Sequence, residues 1–364
     1  MASAINVDSS HRLDNGEIVF VAPSLWGGGA ERVAIALSEY FVSRGFSFSF
    51  LLTKMKGSHY DLPEGVVLQD ENASESISPL CQIALIRRTM KRHSNAVFVS
   101  FLPHQNMYTI LASAFLRNRV IVSVRNEPTY DFAAGSLFHR VRDILYKMAN
   151  HVVFQTAYQR DCFSEIDSKK CSIIPNPLSS CLPSPYAGVR RKVIVTSGRL
   201  ENQKNHAMTI HAFAKFLSSH PDYSLEILGE GSERESLARL VEELGIQSRV
   251  MFHGFRSDAL ELVRTASIFV MSSDYEGLSN SMIEALAMGV PTICTRCLGG
   301  GAEAVIIDGK NGLLVNRGDV DALADRMGFL AGNPQVATRI SENAIKLKKE
   351  LCLDAIGRQW EMLL

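Results

Sequence analysis

Short apolar runs alternate with amphipathic stretches of helix length along nearly the whole chain. EIVFVA (Glu17–Ala22), GFSFSFLL (45–52), AVFVSF (Ala96–Phe101), RVIVSV (Arg119–Val124), HVVFQT (His151–Thr156) and CSIIP (Cys171–Pro175) each read as buried strands. Between them lie helical patterns. Glu31–Arg44 sets Val33, Ala36, Leu37 and Tyr40 on one face, and Gln82–His93 is a shorter helix. Strands spaced by helix-length segments predict an α/β fold with a parallel sheet and crossover helices. Ile173–Pro185, rich in Pro and Ser, has no periodicity; proline forbids a continued helix or central strand there, so it reads as a linker.

The alternation then restarts. A strand at Val193–Thr196 leads into a loop and a helix at Asn205–Leu217; further strands end at Gly229 and at His253-Gly254-Phe255. Ser267–Met271 is another buried strand, followed by a helix at Ser281–Met288 with Met282, Ile283, Leu286 and Ala287 on one face. Ser279 or Asn280 can cap that helix, and Gly289 with Pro291 ends it. A helix at Asp319–Met327 and terminal helices over 333–364 complete the chain. The division expected is two Rossmann-like domains, residues 1–180 and 181–345, with 346–364 a final helical segment.

Composition narrows the class. The 364 residues carry 38 Lys+Arg against 38 Asp+Glu, so no global field points to nucleic acid. The N-terminal MASAINVDSSHRLDNGE has no apolar signal-peptide core, and no stretch approaches the ~18 apolar residues of a membrane span. The reading is cytoplasmic. Seven cysteines are scattered, apart from one C-x-x-C at Cys294 and Cys297. A single pair is too few for a structural zinc site, and an N-A-S sequon at Asn72 has no meaning in the cytosol.

Chemistry gathers where strands end, which is where open parallel sheets bind ligands. After Ser267–Met271 comes SSDYEGLSNSMIEALAMGVPT (Ser272–Thr292), a strand, a Gly-containing loop and a helix N-terminus. Exposed N–H groups and the positive helix dipole suit a phosphate at such a point. Glu276 and Glu284 frame it. Ionised carboxylates accept hydrogen bonds from hydroxyl-rich ligands, although an acidic residue favouring the dipole plus a solvated helix Glu would look the same. Arg199 and Lys204 follow Val193–Thr196; two cations there can neutralise a diphosphate, or be two exposed loop residues. His104 and Arg125 each follow a strand. PSLWGGGAER brings Gly28 and Gly29 to the end of the first strand, without the G-x-G-x-x-G spacing of a dinucleotide fingerprint. Arg87, Arg88, Lys91 and Arg92 cluster on Gln82–His93, either as a solvated face or as an electrostatic foot on an anionic bilayer. Asp319-Val320-Asp321 opens a helix and reads as a cap, not a metal-holding triplet.

Glu276-Gly277-Leu278-Ser279-Asn280 through Glu284 and Pro291 resembles the E-x7-E segment of the retaining GT4-type glycosyltransferases. The S-G-R-L-x3-K run over Ser197–Lys204, the G-G-A-E-R loop and the P-N-P of the linker resemble the same family. The likeness covers nearly the whole chain and is closest from Ser197 to Val315. It implies a GT-B fold, two Rossmann-like domains facing across a cleft with the last helix, in 346–364, crossing back to the first domain, and transfer of a sugar from a nucleotide-diphosphate donor to a hydroxyl acceptor with an α-linkage. It further implies that Arg199 and Lys204 hold the donor phosphates, with Gly277, Leu278, Ser279 and Asn280 supplying the loop. Glu276 would contact the sugar, Glu284 the ribose, and Arg256 would lie beside the base. Gly28 and Gly29 would face the acceptor, a glycan or lipid-linked glycan of surface polysaccharide assembly. Relatives often carry a His where Ser123-Val124-Arg125-Asn126 stands, so Arg125 or His104 takes its role. No cofactor or obligatory metal is implied. A sugar-nucleotide epimerase, an inactive binding subunit of the same fold and an NAD-type dehydrogenase are the alternatives. The last lacks its fingerprint, and the second is disfavoured by the full set of Arg199, Lys204, Glu276 and Glu284.

Overall fold

A computed structural model describes residues 16–25, 28–54, 61–69, 78–133 and 135–364. Gly27 of the Gly-rich loop and the Asn72 sequon lie outside them. The first sheet contains β1 (Glu17–Ala22), β2 (Ser47–Leu52), β3 (Val66–Gln69), β4 (Val97–Phe101), β5 (Arg119–Ser123), β6 (His151–Phe154) and β7 (Cys171–Ile173). Its helices are α1 (Gly29–Ser43), α2 (Pro79–Arg92), α3 (Pro103–Ser113), α4 (Leu137–Met148) and α5 (Ala157–Asp161). The second sheet contains β8 (Arg191–Ser197), β9 (Ser224–Leu228), β10 (Val250–Gly254), β11 (Ala266–Met271), β12 (Thr292–Arg296) and β13 (Leu313–Asn316). With it go α6 (His206–Leu217), α7 (Arg234–Glu243), α8 (Ala259–Thr265), α9 (Asn280–Ala287), α10 (Gly301–Val305) and α11 (Val320–Gly332); α12 (Pro334–Ala344), α13 (Leu347–Glu350) and α14 (Leu353–Glu361) close the chain.

Every strand pair is parallel, and the orders are β3-β2-β1-β4-β5-β6-β7 and β10-β9-β8-β11-β12-β13. Each sheet therefore reverses direction beside its first strand, at β1/β4 and at β8/β11. Chain leaving those strands diverges to opposite faces and opens a crevice at their carboxyl ends. Both faces are covered, which is why the strands are apolar throughout. In β1, Ile18, Phe20 and Ala22 join one core cluster while Val19 and Val21 join another. In β8, Val193 and Val195 face one core and Ile194 the other.

The strand β3 has no counterpart in the sequence reading; VVLQ is only half-buried, an edge strand without a strong apolar signal. The linker is firmly packed: Ile174, Leu178 and Leu182 are buried, and the Leu178 N–H donates to the Leu351 carbonyl. The last helix lies on the first domain. Tyr40 Oη of α1 donates to Glu361 Oε2 at 2.6 Å, and buried Trp360 of α14 sits 5.7 Å from the Phe101 ring. Gly357 is where the two helices cross, since a Cβ there would lie 2.4 Å from the Tyr40 ring.

Candidate active site

The crevice is built from strand ends of both sheets. In the second domain the chain leaves β8 as Ser197-Gly198-Arg199, turns, and enters α6 through Asn205. That residue is left-handed (φ 44), a conformation Asn tolerates, and its Oδ1 accepts from the Met208 N–H at 3.1 Å. The turn aims Lys204 at the loop after β11, where its ammonium pairs with the Glu276 carboxylate. Both side chains retain only 14% of their exposure. The Lys204 stem packs against Gly198, and Ser281 Oγ donates to the Ser197 carbonyl at 3.1 Å, so the β8 loop and the start of α9 touch. Arg199 is exposed in the same crevice. Its charge acts on Glu31 of α1 and on Tyr275, the residue before Glu276.

Glu284, one turn into α9, is buried with 6% side-chain exposure, and its partner comes from the other domain: Arg32 of α1. Burial pushes the Glu284 carboxyl up and Arg32 opposes that shift. Burial also raises Glu31, countered by its own backbone N–H and by Arg199. Gly28 precedes α1 in extended conformation, and the Gly29 carbonyl accepts from Asn280 Nδ2 at 3.0 Å. The expected set of Gly28, Gly29, Arg199, Lys204, Glu276, Gly277, Leu278, Ser279, Asn280 and Glu284 therefore meets in one crevice.

Others stand apart. Ser279 occupies the N-cap position of α9, but its hydroxyl makes no cap and faces Ser281 Oγ at 3.1 Å, which leaves first-turn N–H groups of the helix open to a ligand. Arg125 does not extend its cation toward the carboxylates. The guanidinium lies 3.7 Å over the Phe101 ring and 5.6 Å from Trp360, donates from Nη1 to Asn176 Oδ1 at 2.7 Å, and is lowered to about 9 by burial. Apolar rings at the end of β4 and on α14 draw it inward, and its partner Asn176 is bonded in turn to Leu278 and Asn280. His104, in the first turn of α3, packs edge-on against Phe132 at 5.0 Å, and burial followed by Lys54 lowers its pKa. Arg256 is held by Asp258 at the surface, with Nε–Oδ1 and Nη2–Oδ2 distances of 2.7 Å. Arg87 is not part of a free basic face, because Nη1 donates to the Ala112 and Ala114 carbonyls at 2.8 and 2.7 Å. Asp319 caps α11 through the Ala322 N–H at 2.9 Å, and no metal-holding cluster occurs among the described residues. Cys294 and Cys297 are buried thiols raised by burial.

Sequence reasoning missed the residues that close the crevice. Arg32 closes the G-G-A-E-R run but was given no role there; a cation in the first turn of a helix opposes the dipole, which is a further sign that it serves a partner elsewhere. Tyr130 and Tyr275 stack across the domains at 3.9 Å, and Gln203 Nε2 reaches Asn126 Oδ1 at 3.3 Å. Nothing in their local sequence marks them.

Residues 187–347, which hold the second sheet with Arg199, Lys204, Glu276 and Glu284, match the family described as Glycosyl transferases group 1. The second domain is of that family. It is similar to the N-acetylgalactosamine-N,N'-diacetylbacillosaminyl-diphospho-undecaprenol 4-alpha-N-acetylgalactosaminyltransferase of Campylobacter jejuni, 28% identical across 80% of this chain and 84% of that one. It is 35% identical to the GDP-mannose-dependent alpha-(1-6)-phosphatidylinositol monomannoside mannosyltransferase of Mycolicibacterium smegmatis, over 52% of this chain and 55% of that protein. Anabaena Alr3699/HepE, solved in complex with UDP, superposes with a TM-score of 0.79 at 19% identity, covering 95% of this chain and 98% of its own. The fold is GT-B, and the protein is a glycosyltransferase.

Proposed function

We propose that this glycosyltransferase moves a hexose from a nucleoside diphosphate to a hydroxyl of a glycan or lipid-linked glycan, retaining configuration and giving an α-linkage. The observation that carries this is the joining of Lys204, Glu276 and Glu284 at one crevice beside the open N-terminus of α9. Arg199, Lys204 and the first N–H groups of α9 bind the diphosphate. Glu276 orients the sugar, and Glu284 accepts from the ribose hydroxyls while Arg32 keeps it ionised. The bond from the anomeric carbon to the phosphate oxygen breaks, and the acceptor oxygen attacks on the same face. Its proton passes to the departing phosphate, whose charge Arg199 and Lys204 stabilise as it forms. Preorganised cations do this work, so turnover is expected to persist in EDTA. The acceptor enters from the side of Gly28 and Gly29.

With a lipid-linked acceptor, the protein would work at the cytoplasmic membrane face. No helix among the described residues is long and apolar enough to cross a membrane. Contact instead uses exposed Arg88 and Lys91 with Arg92 of α2, at ~1 kcal/mol per basic residue. The exposed side of α4 adds Leu137, Ile144 and Met148, which share one helical stripe.

Thermal stabilisation and nucleotide release measured across UDP- and GDP-linked hexoses test the proposal. A transferase releases nucleotide diphosphate faster with acceptor present. Isomerised donor sugar without nucleotide release would mean epimerisation, and binding without turnover a binding subunit.

A further inference from the structure

Two buried amides of the first domain grip the loop that carries Glu276, and neither belongs to the set above. Gln155 follows β6 and Asn176 stands in the linker; they are 3% and 4% exposed. Gln155 Oε1 accepts from the Leu278 N–H at 3.1 Å, and Asn176 Nδ2 donates to the Leu278 carbonyl at 2.7 Å. The amides are joined, Gln155 Nε2 donating to Asn176 Oδ1 at 2.6 Å. Asn176 Nδ2 also reaches Asn280 Oδ1 at 2.7 Å, and Gln155 is held from behind by its own N–H to Gln159 Oε1 at 2.7 Å. Gly277 permits the approach, since a Cβ there would lie 2.2 Å from Gln155 Oε1 and 2.5 Å from the Arg125 carbonyl.

An amide carries a donor and an acceptor on one rigid plane. Two of them bonded together can hold both main-chain polar groups of a single residue, as here. Leu278 lies two residues after Glu276 and two before the first helical residue of α9. Its position therefore sets both the carboxylate and the helix tip. The fixing groups come from the opposite domain, so the loop is held in this arrangement only while the domains are closed. We infer that Gln155 and Asn176 are positioning residues of the transfer step: they couple domain closure to the geometry of the Gly277–Asn280 loop. This rests on the donor site proposed above. It predicts a loss in the rate of transfer well beyond any loss in nucleotide affinity, because Arg199 and Lys204 stand on the loop after β8, which the two amides do not touch.

The test uses Gln155→Met and Asn176→Leu, which keep side-chain length or volume but lose the amide, and the double variant. With a donor found in the panel above, kcat should fall about 10- to 100-fold, as for a reacting group displaced by about 1 Å. Binding of UDP or GDP, whichever nucleotide the active donor carries, should stay within about 2-fold. The double variant should lose scarcely more than either single one, because the residues act as a unit. Unchanged kcat, or nucleotide affinity falling in step with kcat, overturns the inference. A second arm needs neither turnover nor a folded variant: hydrogen exchange at the Leu278 amide of the wild-type chain. Slowing of about 100-fold or more against an open loop amide is expected. Free exchange overturns the clamp even if transfer is real. Absence of turnover with every donor would refute the transferase proposal, and the exchange arm would still decide the clamp.

Discussion

Replacing Lys204 by Met keeps most of the stem that packs on Gly198 and removes the ammonium. Two consequences follow, and they separate experimentally. First, Glu276 stays in a site where its side chain has only 14% exposure and loses its counter-charge. Breaking a buried pair from one side costs about 3–5 kcal/mol; residual exposure puts this pair near ~3 kcal/mol. Second, the departing diphosphate loses a preorganised cation, worth about 10²–10³ in kcat, or ~2.7–4 kcal/mol. Adding Glu276→Gln removes the stranded charge. The double variant should regain most of the stability but none of the turnover. Denaturant melts of the four proteins give the first quantity, and nucleotide diphosphate release from the active donor gives the second. Near wild-type turnover in Lys204→Met would refute the diphosphate assignment. Recovery of turnover in the double variant would show that Lys204 serves only to neutralise Glu276.

Arg32→Ala leaves Glu284 buried without its partner; UDP or GDP binding should weaken about 10-fold by calorimetry, and stronger binding would mean that Arg32 blocks the carboxylate. His206 is buried, its ring nitrogens facing the Arg199 carbonyl and Thr196 Oγ1, and burial lowers it to about 4. A base depressed on folding binds its proton more readily when unfolded, so stability is full above pH ~6.5 and about 3 kcal/mol is lost on acidification toward pH 4. His206→Gln should flatten that part of a pH–melting curve, and an unaltered slope would remove His206 as its cause. Gly357→Ala forces a methyl against Tyr40 and should destabilise by about 1–3 kcal/mol, while Trp360→Ala should cost about 3–5 kcal/mol. Melts unchanged in both would show that α14 is not docked in solution.

Legibility along the chain followed the range of the forces involved. EIVFVA and SIFVM were visible as strands because both faces of a parallel sheet are buried, leaving an unbroken apolar run. VVLQ at the sheet edge was not, for the converse reason. That Glu276, Glu284, Arg199 and Lys204 stand near strand ends and helix starts was readable, because such a junction is a local feature of the chain. Where the Arg125 cation points was not readable: a cation after a strand looks available, and the rings of Phe101 and Trp360, far apart in sequence, draw it inward.

By itself, then, the sequence determined two parallel α/β sheets and which strand ends carry charge. Period and composition act over a few residues, and those features need nothing more. The tertiary structure alone decided the pairings across the crevice: Arg32 with Glu284, Tyr130 with Tyr275, and Gln155 and Asn176 on Leu278. These partners are about 100 or more residues apart, and what selects them is the need of a buried charge or peptide group for whichever partner the closed domains bring within reach.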